Sequence, residues 1–329
     1  MINMTSAGIV GLGFYVPPKI MTNDDWSTIV DTSDEWITNK TGIKERRIAD
    51  DNICTSDLAV MASIEAMKDA NIESGDIDLI ILATSSPDVP LPSTASIIQN
   101  KLGCRKAAAF DINAVCSGWI HALEIGAKFV ISSEYDNVLV IGSEVYSRIV
   151  NWDDRATCVL FGDGAGAAIL QKVEDGKGII GSWLQSDGSG AEVIQIPAGG
   201  VKNSISSDKF VEGQQYFHMD GREVWNFAIN AFPQAVKKVL MKIKMEIEDI
   251  DMIIPHQANY NIIEAGMLNL GLPMDKVFTN LDKYGNTAAA SIPIALAESV
   301  KKGIIKEGDL VITVGFGGGL AWGANAIIW

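Results

Sequence analysis

The chain has 329 residues, 20% charged and 47% hydrophobic, with a formal net charge of −15 and four cysteines. That length buries a large core as one big domain or two fused ones, and the acidity without basic clusters speaks against a nucleic-acid partner, whose phosphates need them. Cys54, Cys104, Cys116 and Cys158 show neither CxxC spacing nor a dense framework, which fits a reducing cytoplasm and argues against zinc or another bound metal.

From the amino terminus, Met1 to Pro18 has apolar residues broken by Gly8, Gly11 and Gly13 and no Lys or Arg before Lys19, so it lacks the basic region of a signal peptide. No apolar stretch reaches membrane-spanning length, and the expected location is cytoplasmic, away from membranes. An amphipathic helix over Ser56 to Ala70 leads into the apolar run Gly75 to Leu82. Ala107 to Ile112 reads as a buried strand that turns abruptly into a helix over Ser117 to Ile131, leaving Cys116 at the helix start. There the unpaired N–H groups and the partial positive charge of the helix end favour a thiolate, the nucleophilic form of cysteine.

The chain then repeats itself. Gly75 to Leu82 is echoed 173 residues later by Glu248 to Pro255, again after an amphipathic helix, Glu223 to Met245. Phe110 to Cys116 is matched by Phe278 to Asn286, the second copy about two residues longer, and Asn137 to Gly142 by Asp309 to Gly315. Three elements in the same order at nearly the same spacing imply two similar α/β halves, residues 1–172 and 173–329, packed as a pseudo-twofold pair. Between them, Phe161-Gly162-Asp163-Gly164-Ala165-Gly166 lacks the Lys-Ser/Thr of a phosphate loop and reads as a strand with close backbone approach, while Val173 to Glu212 is the most loop-like stretch.

Ligand chemistry in such sheets gathers at the carboxyl ends of strands. Those ends carry Cys116 in the first half, and His256, in Pro255-His256-Gln257-Ala258-Asn259, with Asn286, in Tyr284-Gly285-Asn286-Thr287, in the second. The first-half partner of His256 is the silent Ala83. A nucleophile, a histidine and an amide are thus expected to meet, joined by the glycine run Phe316-Gly317-Gly318-Gly319 after the last long strand.

These motifs, with Asp31-Thr32-Ser33-Asp34-Glu35-Trp36-Ile37 and Thr41-Gly42-Ile43, resemble the β-ketoacyl-acyl carrier protein synthase III family, the initiating condensing enzymes of bacterial fatty-acid synthesis in the thiolase superfamily. The resemblance implies a thiolase-like αβαβα five-layer fold, a homodimer, no cofactor beyond the CoA thioester substrates, and a catalytic set of Cys116, His256 and Asn286. It further implies an oxyanion hole from the N–H groups of Cys116 and Gly318, a CoA site at Thr32, Trp36, Lys40, Arg155, Gly221 and Asn259, and an acyl pocket closed by Phe316 and by Leu91, the latter reaching across the dimer. The partners would be an acyl-CoA, a malonyl thioester and an acyl carrier protein.

Two departures from the family pattern stand out. The arginine expected to stack on adenine opposite Trp36 is replaced by Lys40, and the basic residues that dock the acidic carrier are replaced by Asn226, Asn261, Leu268 and Asn269. Lys237, Lys238, Lys242 and Lys244 are the alternative source of attraction. An enzyme with a CoA-bound extender in secondary metabolism, and a non-catalytic acyl-CoA-binding relative, stay open as alternatives at this point.

Overall fold

The computed structural model describes residues 6–329. The first five residues of the Met1–Pro18 stretch lie outside them. In Ser6–Tyr15 (β1), a Cβ on Gly11 would lie 2.5 Å from the carbonyl oxygen of Ala66, and one on Gly13 2.3 Å from that of Ala62. Both carbonyls belong to Thr55–Asp69 (α3), whose buried face includes Leu58, Ala59, Ala62 and Ala66, so small residues on both sides let strand and helix backbones touch. Between β1 and α3 runs an arm of short elements, Ile20–Thr22 (β2), Asn23–Ser27 (α1), Asp34–Thr41 (α2) and Glu45–Arg47 (β3), with β2 and β3 paired antiparallel.

Leu79–Ala83 (β4) and Val138–Val145 (β6) are buried along their whole length and pair in parallel, as continuous apolar runs covered on both faces should. With Ala108–Ile112 (β5) and Asp163–Val173 (β7) they form a sheet in the order β1-β7-β6-β4-β5. The expectation of a buried strand at 107–112 is corrected here: β5 has one neighbour only, and its residues are exposed or half-buried. Thr94–Leu102 (α4) lies over it, its first turn held by the Asp111 carboxylate, which accepts from Thr94 N and Ala95 N at 2.7 Å each.

The second sheet has the order β11-β12-β13-β8, from Gly178–Ser186 (β8), Met252–Pro255 (β11), Leu310–Gly317 (β12) and Ala321–Ile328 (β13). β8 corrects the expectation of a loop over 173–212. It is an edge strand with a partly polar, half-exposed face, which hides its strand character in sequence. The rest of that stretch is irregular, apart from the 3-10 turn Gly188–Gly190 and Ile194–Gln195 (β9), which pairs with His218–Met219 (β10).

Gly118–Ile131 (α5) packs on β1, β4, β6 and β7 on one side and on β8, β12 and β13 on the other, and Ser291–Lys301 (α9) likewise touches both sheets. The helix α3 with α4 covers the outer face of the first sheet; Gly221–Ile243 (α6) with Tyr260–Leu270 (α7) covers the second. The layers are therefore αβαβα, with two central helices shared. A last short helix, Leu281–Tyr284 (α8), rests on β3.

The halves repeat individual hydrogen bonds at the 173-residue spacing. Glu73 N donates to Asp76 Oδ2 at 2.9 Å, and Glu246 N to Asp249 Oδ2 at 2.8 Å; Asn137 N donates to Asp78 Oδ2 at 3.0 Å, and Leu310 N to Asp251 Oδ2 at 2.8 Å. This spacing also corrects the alignment of the reactive turns. The 3-10 turn Val115–Ser117 matches Ala288–Ala290, with φ of 47° at Val115 and 46° at Ala288, so Cys116 corresponds to Ala289 and Asn286 corresponds to Asn113.

Candidate active site

Cys116 sits in the 3-10 turn between β5 and α5, 7% exposed. Val115 before it holds a left-handed backbone, which a β-branched residue adopts only where its surroundings impose it. The imposing neighbour is β12: a Cβ on Gly317 would lie 2.8 Å from Cys116 Cβ and 2.9 Å from Cys116 N, so only a residue without a side chain lets the strand end pass the turn. Gly318 follows, buried against Val115 and Ile194.

His256 stands directly after β11, its backbone N donating to Val314 O at 2.8 Å. Its ring packs edge-on against Phe316, centroids 5.4 Å apart, and Phe316 stacks in turn on Phe232 of α6. Burial pushes the imidazole down to about 3, so the ring is neutral. Nδ1 lies 2.7 Å from Ser291 Oγ at the start of α9, and the same oxygen accepts from Gln257 N at 3.3 Å. With Gln257 N donating to Oγ, the Ser291 hydroxyl proton is free to point at Nδ1. When the Ser291 hydroxyl donates to Nδ1, the ring proton sits on Nε2, a neutral donor.

Asn286 Oδ1 accepts from Ala288 N at 2.9 Å, which fixes the amide and leaves Nδ2 to donate elsewhere. Its main chain is tied on both sides, Asn286 N donating to Leu160 O at 2.9 Å and Gly162 N to Asn286 O at 3.0 Å. The Cys116 turn packs on the Ala288–Ala290 turn, Gly118 facing Ala289. Cys116, His256, Asn286, Phe316 and Gly318 are thus gathered in one buried region by residues of both halves.

One expectation reverses. Burial pushes the Cys116 thiol up, and the nearby Glu144 carboxyl adds to the rise, so Cys116 rests as a neutral thiol in place of the thiolate expected at a helix start. The backbone hydrogen bond at Cys116 acts in the opposite direction and is the smaller effect.

Sequence reasoning missed Ser291 and Glu144. Glu144 is wholly buried and accepts from Ser85 N and Ser86 N, and from the hydroxyls of Thr84, Ser85 and Ser86, while Ser85 Oγ also lies 2.8 Å from Tyr146 Oη. Burial outweighs these donors and holds its carboxyl at about 7. A lone carboxylate inside the apolar run 138–145 was the available signal.

At the surface, the Arg155 guanidinium lies over the Trp36 ring, 5.0 Å from its centroid, and Arg155 Nη1 donates to Asp31 O at 2.7 Å. The flat cation facing Trp36 is therefore Arg155; residue 40, where an arginine was expected, contributes its carbonyl oxygen, which accepts from Asn259 Nδ2 at 2.9 Å and Asn261 Nδ2 at 3.0 Å. Thr32 lies on the same loop, its buried hydroxyl without a hydrogen-bond partner among the described residues. Thr32, Trp36, Lys40, Arg155 and Asn259 are thus linked around α2. Gly221 opens α6 from an exposed position capped by Asp220 and forms no hydrogen bond to them. Leu91 is 86% exposed and does not line this chain's own site. Among the described residues no group of His, Cys, Asp or Glu is arranged to hold a metal ion, and no helix is long and apolar enough to cross a membrane.

The chain matches the family described as 3-oxoacyl-[acyl-carrier-protein (ACP)] synthase III over residues 110–188, and that family's C-terminal part over residues 240–329. It is 53% identical over 329 residues to the β-ketoacyl-[acyl-carrier-protein] synthase III of Caldanaerobacter subterraneus subsp. tengcongensis, covering 100% of this chain and 99% of the relative. With that of Clostridium acetobutylicum the identity is 51% over 326 residues, 99% of each. Among solved structures, the 3-oxoacyl-[acyl-carrier-protein] synthase III from Aquifex aeolicus superposes with a TM-score of 0.91 at 44% identity, over 99% of this chain and 100% of that one.

Proposed function

Because the chain belongs to the β-ketoacyl-acyl carrier protein synthase III family, we propose that Cys116, His256 and Asn286 carry out the condensation of an acyl-CoA with malonyl-acyl carrier protein. The protein is an acyltransferase, an initiating ketosynthase of fatty-acid biosynthesis. Cys116 Sγ attacks the acyl-CoA carbonyl, the C–S bond to CoA breaks, and CoA leaves as its thiol with the proton that Cys116 gives up. The malonyl thioester then loses carbon dioxide, leaving an enolate whose oxygen is held by Nε2–H of the neutral His256 and by Nδ2 of Asn286. The enolate carbon attacks acyl-Cys116. The tetrahedral oxyanion accepts from the N–H groups of Cys116 and Gly318, then collapses to release the β-ketoacyl product and the Cys116 thiolate, which takes a proton from water to return the thiol. Loss of one such donor costs about 3 kcal/mol of barrier.

The observation that carries this assignment is the neutral His256, its Nδ1 bonded to Ser291, buried with Asn286 beside the Cys116 turn. Both donors are uncharged and need no proton before an enolate forms. For CoA, Trp36 and Arg155 offer the adenine a ring and a flat cation once their 5.0 Å contact opens, with Thr32, Lys40 and Asn259 nearby and Gly221 at the start of α6. The acyl group lies against Phe316. We assign residues 1–172 and 173–329 as the two halves, and a homodimer formed along the open edge of β5, which carries the exposed Leu91 into the partner's acyl pocket. Exposed Lys237 and Lys238 on α6 stand in for the docking charges absent at Asn226, Asn261, Leu268 and Asn269.

Acetyl-loaded enzyme offered malonyl-carrier protein in one tube and malonyl-CoA in the other tests this in a single turnover. Condensation with the carrier substrate at least tenfold faster is expected. Preference for malonyl-CoA would move the enzyme out of fatty-acid initiation, and failure of acetyl-CoA to label Cys116 would refute the covalent step.

A further inference from the structure

Arg46 is wholly buried on β3, and no carboxylate lies within ion-pair distance of it among the described residues. Its guanidinium meets uncharged oxygens: Nη1 donates to Asn23 Oδ1 at 2.7 Å and to Met21 O at 3.4 Å, Nη2 donates to Val159 O, and Nε has no partner among the described residues. Burial lowers its pKa to about 10, so it remains a cation at neutral pH. A cation buried without a counter-ion opposes folding, and an apolar side chain of similar volume would fill the place at less cost. Stability alone does not account for it.

Its contacts do. Val159 to Gly162 is the segment against which Asn286 is held, through the two main-chain hydrogen bonds at Leu160 and Gly162 and a parallel bridge between Phe161 and Asn286. Arg46 Cβ lies 3.1 Å from where a Cβ would sit on either Gly162 or Gly285, so the Arg46 stem packs against both sides of that contact. Its chain neighbours grip the same loop: Lys44 N donates to Asp282 O at 3.0 Å, and Arg47 Cζ lies 5.8 Å from the centroid of the Tyr284 ring. In the other direction, Asn23 passes the connection on, its Nδ2 donating to Asp34 Oδ1 at 2.8 Å and to Ile43 O at 2.7 Å, at the two ends of the Trp36 helix α2.

We infer that Arg46 is the positioning residue of Asn286: its fork ties Val159 to Asn23 and so fixes the segment that holds the Asn286 backbone and aims its Nδ2. The catalytic consequence rests on the role proposed above for Asn286; the positioning itself is measurable without it.

The experiment uses the full chain with Arg46→Met, Arg46→Lys and Asn286→Ala. Hydrogen exchange read by mass spectrometry follows the amides of Asn286 and Gly162. Arg46→Met speeds their exchange at least tenfold while the β6 peptide keeps its rate, and it lowers malonyl decarboxylation at least tenfold while acetyl transfer to Cys116 stays within threefold. Arg46→Lys, which keeps the charge but cannot reach Val159 and Asn23 together, gives an intermediate value in both. Unchanged exchange at Asn286 and Gly162, or equal loss of both partial reactions with faster exchange throughout the chain, overturns the inference. Faster exchange at those two amides with normal decarboxylation in both Arg46→Met and Asn286→Ala would support the positioning and refute the catalytic role of Asn286. If Arg46→Met does not fold, Arg46→Lys decides: at least threefold faster exchange at the two amides supports the inference, and the wild-type rate overturns it.

Discussion

The turns Val115–Ser117 and Ala288–Ala290 have the same backbone and opposite duties. Each carries a non-glycine residue near φ of +46°, each is preceded by an asparagine whose Oδ1 accepts from the N–H two residues on, and each opens one of the two central helices. At the matched positions the first half has Cys116, exposed Asn113, Ala83 and Glu144; the second has Ala289, buried Asn286, His256 and Gly317. A duplicated backbone supplies two strained turns, and chemistry arises because each half keeps what the other lacks. Gly317, matched to Glu144, packs so closely on Cys116 that any side chain there would collide with the turn.

The hardest test of this division moves the thiol. Cys116→Ala should lower condensation by roughly a thousandfold or more, and adding Ala289→Cys should restore none of it, because Ala289 faces the first half and has no histidine beside it. Recovery of acetyl labelling in the double variant would break the comparison. Next, Asn286→Ala should lower malonyl decarboxylation about a hundredfold, the scale of one lost oxyanion donor, whereas Asn113→Ala, with the same turn hydrogen bond, stays within threefold. Equal effects would reduce Asn286 to a turn residue.

A pH profile sharpens the same contrast. Burial lowers His256 to about 3, so the ring keeps a single charge state and its contribution to decarboxylation is flat from pH 5 to 8; an ordinary histidine near 6.5 would change charge within that window and bend the profile. The linked stability has the matching sign. The unfolded chain takes up the proton below about pH 6.5 and the folded chain only near 3, so this contribution is complete above 6.5 and erodes as pH falls between those values. Smallest is the Trp36 contact: Arg155→Ala should raise KM for acyl-CoA three- to tenfold with kcat unchanged, since it removes one cation–π face and no reacting group.

Much of the site was legible in sequence because the repeat is periodic and its strand ends carry unlike side chains. Cys116, His256 and Asn286 emerged that way. The register of the turns did not. Matching Phe110 to Phe278 slid Cys116 onto Asn286, while the structural anchors are the paired asparagines 113 and 286, whose equivalence lies in one backbone hydrogen bond. Ser291 and Arg46 escaped for a related reason: a serine after three alanines, or an arginine beside another arginine, gives no hint of a partner 35 or 113 residues away. Arg155 facing Trp36 depends on loop geometry in the same manner. The thiol of Cys116 was misjudged because a helix end is visible in sequence and the depth at which it is buried is not.

The central layer has a consequence for how the chain survives damage. β7 ends at Val173 and β8 begins at Gly178, and the four residues between them are exposed. A protease cutting there would sever the halves covalently, yet α5, encoded before the cut, packs on β8, β12 and β13, all encoded after it. The nicked fragments would remain clasped around their shared helices, and two separately produced pieces should find each other and complement.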